Sequence, residues 1–237
     1  MKHRFATIVF LVLLPIVLAP HVTAQPLSKR IDNLPLYGQP NIERSAEMRK
    51  LDEEFIATAV AGLGTRERAS DAWWAEGERF VAERNFDYAM RRYNQAWLLN
   101  PSGFKPWWGI ARVLMESGRP DEAQMYFARA ISLVNDKFQE PAVITDAANS
   151  YVAIARRSED AQAKHEMFAK ADELYAEALV VDPEYGNAYK RSAMSFYYQG
   201  KYAAAWKMLR EAERRPSVVV PRAFVDDLAR AMPEPSK

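Results

Sequence analysis

A spacing of 34 residues constrains this chain more than any other feature. Trp73, Gly77, Ala89 and Tyr93 are followed, each 34 positions later, by Trp107, Ala111, Ala123 and Phe127, and Ala96 by Ala130. Farther on, Ala171, Tyr175 and Ala178 are followed at the same distance by Ala205, Leu209 and Ala212. Trp73 and Gly77, then Ala89, Tyr93 and Ala96, and again Ala171, Tyr175 and Ala178, lie three or four apart, the spacing that puts side chains on one face of a helix. A fixed period of this length with helical spacing is the mark of stacked helix pairs: one pair cannot bury its apolar face alone, so successive pairs stack and bury it continuously. The fold class is therefore all-α. Between Ala123 and Ala171 the distance is 48, so 14 extra residues lie between Val134 and Ala169. The first helix of that unit is expected at Pro141 to Arg157, with Ala148 at its closest approach. The polar run Ser158 to Lys164 is expected to hold much of the insertion, as added helix or a longer turn.

These residues resemble the tetratricopeptide repeat (TPR) pattern of a Trp, a Leu-Gly, a Tyr, then a downstream Ala, an aromatic residue and a Pro. Trp73, Gly77, Phe80, Ala89, Tyr93, Ala96 and Pro101 match it in the first unit. Trp107, Ile110, Ala111, Leu114, Gly118, Ala123, Phe127 and Ala130 match it in the second, where Asn135 replaces the closing proline. The third matches in its second helix (Ala171, Tyr175, Ala178, Pro183). The last matches through Tyr189, Ala193, Phe196, Gly200, Ala205, Leu209 and Ala212, with Pro216 one place early. The resemblance covers about Ser70 to Ser217 and implies a right-handed solenoid of about four helix pairs over residues 65–217. Small residues at Gly77, Ala111, Ala148 and Ala193 would let paired helices approach, and Trp73, Trp107, Tyr93 and Phe127 would fill the space between pairs.

The flanks read differently. Lys2, His3 and Arg4 precede an apolar run from Phe5 to Ala19, and Val22-Thr23-Ala24 offers small residues for cleavage. This is the layout of a secretory signal over residues 1–24. The run is shorter than the ~20 residues a spanning helix needs, so no stable membrane insertion is expected after cleavage, and the mature chain is expected in the periplasm or outside the cell. Residues 25–40 read as an extended leader, with Pro26, Pro35, Gly38 and Pro40. Within residues 41–64, Met48, Leu51, Phe55, Ile56, Ala59 and Leu63 mark an amphipathic helix from Glu43 to Leu63, ended by Gly62 and Gly64. Thr65 is placed to cap the next helix. Residues 218–237 give a capping helix, with Phe224, Leu228 and Met232 on one face, and a tail.

Composition removes most site chemistries. The chain has no cysteine and three histidines, His3, His21 and His165, two of which lie in the signal. Without cysteine there is no disulfide, Cys nucleophile or zinc–thiolate site. Triads need a base titrating near neutrality, and His165 stands in a polar helix start. Asp52-Glu53-Glu54 and Asp226-Asp227 are adjacent and point to different sides of a helix. No phosphate-loop, dinucleotide or HExxH pattern occurs. No enzyme, cofactor or metal site is expected. Removing Lys2 and Arg4 turns a net charge of +1 into a slight acidic excess, which is no footprint for nucleic acid.

Binding is what remains. In TPR domains the first helix of each pair lines the concave face. The resemblance therefore places Trp74 and Glu78 there from the first repeat, Lys105, Trp108 and Arg112 from the second, Asn149 from the third, and Lys190 and Tyr197 from the fourth. Trp74 and Trp108 lie about 100° round the helix from the core tryptophans beside them. They either form an aromatic anchor pair in the groove or lie beneath the N-terminal helix or leader. Repeat one has Trp74 and Glu78 where the chaperone-binding clamp of some TPR domains needs Lys and Asn, so that activity is not implied. The function expected is a non-enzymatic adaptor of the cell envelope that binds a peptide or helix of another envelope protein. The alternative is a structural or assembly subunit of an envelope complex or homo-oligomer.

Overall fold

A computed structural model describes residues 27, 30–134, 140–215 and 217–235. The expected signal segment, residues 25, 26, 28 and 29 of the leader, and the repeat-closing positions Asn135 and Pro216 lie outside the described residues. The described residues form ten α-helices: α1 (Ala46–Leu63), α2 (Arg66–Ala82), α3 (Phe86–Leu99), α4 (Phe104–Glu116), α5 (Pro120–Leu133), α6 (Pro141–Arg157), α7 (Ala161–Val181), α8 (Gly186–Tyr198), α9 (Tyr202–Glu213) and α10 (Arg222–Ala231). Helices α2–α9 make the four pairs. None of the described helices is long and apolar enough to cross a membrane.

The starts and stops follow local chemistry. Ser45 accepts from the Met48 N–H at the start of α1, and Thr65 from the Arg68 N–H at the start of α2. Asn85 and Asp160 cap α3 and α7 in the same way. Such caps satisfy amides that the helix itself leaves bare. The turns inside the second and fourth pairs pass through Gly118 (φ 79°) and Gly200 (φ 72°). The equivalent place in the first pair is held by Arg84 at φ 57°, a left-handed conformation that an L side chain adopts at a cost.

Packing repeats with the sequence. Tyr93 is fully buried, its ring wedged where a Cβ on Gly77 would stand 2.3 Å away and one on Gly109 2.5 Å away. Two glycines on α2 and α4 thus let one tyrosine bridge two pairs. Ala111, Ala148 and Ala193 are fully buried at the matching positions. Trp73 meets α1 edge-on through Phe55, with ring centroids 5.3 Å apart, so α1 closes the first apolar end. At the other end α10 buries Phe224 and Leu228, and the Trp206 indole donates to the Met232 carbonyl at 3.0 Å.

The insertion lengthens one hairpin. α6 has 17 residues where α4 has 13, and α7 has 21 where α5 has 14. The Ser158–Asp160 turn stays as short as its counterpart at 117–119. The added helix therefore sits at the tip of the α6–α7 pair, and the rest of the insertion lengthens the 134–140 connection.

The leader departs from the extended form expected of it. Its described part makes two short 3-10 turns, Ile31–Asn33 and Pro35–Gly38, packed on α3. Buried Asn94 receives it: the amide donates to the carbonyls of Asp32 (2.9 Å) and Leu34 (2.8 Å), and its oxygen accepts from the Leu36 N–H (2.8 Å). Arg91 donates to Asn33 at 2.8 Å. Leu36, Tyr37 and Gly38 run through left-handed conformations, which turns the segment back and buries Leu36 and Tyr37. Arg44, paired with Asp52 of α1, then stacks on Tyr37 with its guanidinium 4.5 Å from the ring centre.

Candidate functional site

The first helices of successive pairs touch one another, α2 with α4, α4 with α6 and α6 with α8, while the second helices make no comparable run of contacts. In a curved stack the elements that approach each other are on the inside. The inner face is therefore built from α2, α4, α6 and α8, the helices on which the groove candidates stand.

In the first two repeats these residues pair with each other at a distance of 34. Lys105 meets Asp71 at 2.9 Å, and Arg112 meets Glu78 at 2.5 Å. Trp74 and Trp108 stack with centroids 6.0 Å apart and planes 27° from parallel. Lys105 lies 5.4 Å from the Trp74 ring centre, and Arg112 5.4 Å from that of Trp108. Phe104 extends the stack on the far side of Trp108. Both tryptophans are half-buried. The described leader lies on α3 and α1 packs on Trp73, while Trp74 and Trp108 meet each other and the cations beside them, and Trp108 also meets Phe104 and Asp146.

Asp146 of α6 joins this system one repeat on. It accepts from the Trp108 indole at 2.9 Å and stands 3.7 Å from the Arg112 guanidinium. Burial pushes its carboxyl above the ordinary range, against the pull of Arg112 and the Trp108 hydrogen bond. The periodic reading of the sequence passed over Asp146. The insertion shifts the third repeat, so its partner Trp108 is 38 residues away rather than 34.

Two groove residues are held from the core. The Tyr93 hydroxyl donates to Glu78 at 2.5 Å, and the Tyr175 hydroxyl donates to Asn149 at 2.7 Å. Tyr93 and Tyr175 occupy the same place in repeats one and three, and Phe127 and Leu209 occupy it in repeats two and four. Burial raises both tyrosine hydroxyls well above their ordinary value, so both remain donors. Each fixes the orientation of one residue on the inner face.

The last two candidates have other company. Tyr197 packs edge-on against Phe224 of α10 at 5.7 Å and touches Tyr202. Lys190 reaches the Val219 carbonyl at 3.4 Å, and burial lowers its ammonium pKa. These side chains turn toward the C-terminal cap, which takes the place of a fifth first helix. His165 is exposed near the start of α7.

Beyond Arg112 the inner face opens into a cavity of about 320 Å³, at the lower end of ligand-pocket volumes. Arg112 and Glu116 of α4, Asn149 and Arg156 of α6, Tyr175 of α7, and Arg191 and Tyr198 of α8 line it.

No family model matches the chain, and no curated protein matches it. Solved structures do. A thermophilic TPR protein of Thermus thermophilus shares 18% identity, covers 69% of this chain and 82% of its own, and gives a TM-score of 0.63. The structure of pilF from Pseudomonas aeruginosa shares 17% identity over 71% of this chain and 86% of its own, at a TM-score of 0.36. The first likeness, with the four helix pairs, makes this chain a tetratricopeptide-type helical solenoid.

Proposed function

We propose that this chain is a non-catalytic adaptor of the cell envelope that holds an extended peptide or helix of another envelope protein against its inner face. The observation that supports the reading best is the continuous surface of α2, α4, α6 and α8, where stacked tryptophans and a tyrosine-anchored polar row run into a cavity. Aromatic and arginine side chains of this kind supply most of the energy at protein interfaces. Export rests on the signal-like residues 1–24, and the mature chain is expected to begin at Gln25.

A photo-crosslinking amino acid tests the assignment. It would be placed at Glu116 or Met194 on the inner face, and at Met125 or Val180 on the exposed side of second helices, in protein expressed in its own cells. Adducts with one partner from the inner positions alone are expected. Adducts from the outer positions alone would favour an assembly subunit joined by its back. Intact mass of the recovered protein reads the cleavage site at the same time.

A further inference from the structure

The cavity at the C-terminal half of the inner face has a charge pattern unlike the rest of that face. Arg112, at one edge, is held by Glu78 and reaches Asp146. Asp146, which also lines the cavity, is already engaged by Arg112 and the Trp108 indole, and the Arg191 charge acts on it from beyond 4 Å. Arg156 and Arg191 also line the cavity. Neither has a carboxylate within 4 Å among the described residues; the Arg156 guanidinium stands over the Tyr198 ring, 4.0 Å from its centre. One lining carboxylate, the exposed Glu116, is without an ion pair among the described residues. Three guanidiniums, of Arg112, Arg156 and Arg191, thus line the cavity against two carboxylates, Asp146 and Glu116. Each has a planar fork of donors that matches a carboxylate's two oxygens. Contact with Tyr198 restrains the Arg156 fork, which lowers the entropy lost on binding. Between the arginines, Asn149 is fixed by the Tyr175 hydroxyl. Met115, Val152 and Met194 supply an apolar wall.

We infer that this cavity receives an acidic side chain of the bound partner, an internal Asp or Glu next to an apolar residue, gripped by Arg156 and Arg191 with the apolar neighbour against Met115 and Met194. This rests on the peptide-binding reading above and names the chemistry the peptide must carry. Arg156 and Arg191 are exposed and make no side-chain hydrogen bond or ion pair among the described residues, so the double variant is expected to fold.

The test is an array of random 12-residue peptides, N-acetylated and attached through the C-terminus so that no terminal carboxylate is present, probed with the mature protein. Enrichment of Asp or Glu beside Leu, Ile, Met or Phe is expected. Arg156→Glu/Arg191→Glu should weaken binding of those peptides tenfold or more, on the scale of a charge-assisted hydrogen bond. It should also shift the enriched set toward Lys and Arg, with an unchanged melting curve. Replacing the acidic residue of a selected peptide by its amide should cause a similar loss, and adding that replacement to the double variant should cost little more. Bound peptides without acidic enrichment, or with affinity unmoved by the double variant, would overturn the inference while leaving the groove reading intact. Binding confined to a second array with free C-termini would overturn it too, assigning the arginines to a chain end. An array that binds nothing at all would overturn both readings.

Discussion

The two halves of the inner face are built from the first helices of their pairs and end up in opposite states. In repeats one and two, the charged and aromatic residues meet partners one period on: Asp71 with Lys105, Glu78 with Arg112, Trp74 with Trp108. In repeats three and four, Arg156 and Arg191 face a cavity, and neither has a carboxylate within 4 Å among the described residues. The difference follows from register. Where the period is 34, a residue chosen on one helix has its counterpart beside it on the next, and complementary pairs form across the repeat boundary. The insertion breaks that arithmetic. Position for position, Lys105 is succeeded by Ala142 and Arg112 by Asn149, so the ladder stops at Asp146. The ladder holds where successive first helices carry complementary residues at equivalent positions, and it stops where they do not, leaving groups a ligand can use.

Breaking the first half at its packing should have the largest effect. Gly109→Ala puts a methyl group into the Tyr93 ring and should cost about 3 kcal/mol, the upper end for overpacking, read by urea denaturation. Arg112→Met comes next. It leaves Glu78 without its cation and Asp146 with one contact fewer, both mostly buried, and should cost about 2 kcal/mol. Adding Glu78→Gln should recover part of the loss in a double-mutant cycle. Equal losses for Arg112→Met and Arg191→Met would erase the comparison, since Arg191 carries no such pair and should change stability by less than about 0.5 kcal/mol.

Asp146 gives a pH signature. Its folded pKa is raised above the unfolded value near 3.8. The folded state therefore holds the proton more tightly, and stability falls as pH climbs from the unfolded value through the raised one. Asp146→Asn should make that decline shallower, measured as the denaturation midpoint between pH 3.5 and 7. The smallest effect belongs to a turn: Arg84→Gly should relieve the left-handed backbone and add about 0.5 kcal/mol, with no change at the groove.

The repeat architecture was legible because packing imposes it. Tyr93 needs a small residue opposite it, and Gly77 shows in the sequence. Thr65, Gly64 and the span Pro141 to Arg157 were readable because caps, prolines and helical spacing act within one turn or two. The leader's seat was not readable, because Asn94 recognises backbone carbonyls and an N–H, and backbone carries no sequence pattern. Gly109 escaped because it falls outside the 34-residue set, though it touches the same ring as Gly77. On the inner face the resemblance to the TPR pattern placed Trp74, Glu78, Lys105, Trp108 and Arg112. It could not say that they would meet one another, and it passed over Arg156 and Arg191, which stand in the part of α6 added by the insertion and at the place that Gly109 and Asp146 hold in the preceding repeats.

The lengthened third hairpin can be described as a matter of angle. α6 gains four residues and α7 gains seven over their counterparts. At 3.6 residues per turn these additions rotate the helix ends by about 400° and about 700°. Both values fall near whole turns, leaving the ends about 40° ahead and about 20° behind where they would have been. The same three-residue turn can therefore join the two helices at the greater height. A hairpin of this kind can grow by four or seven residues at a time and keep the azimuth of its faces; growth by two or by five would swing one end to the opposite side of the pair.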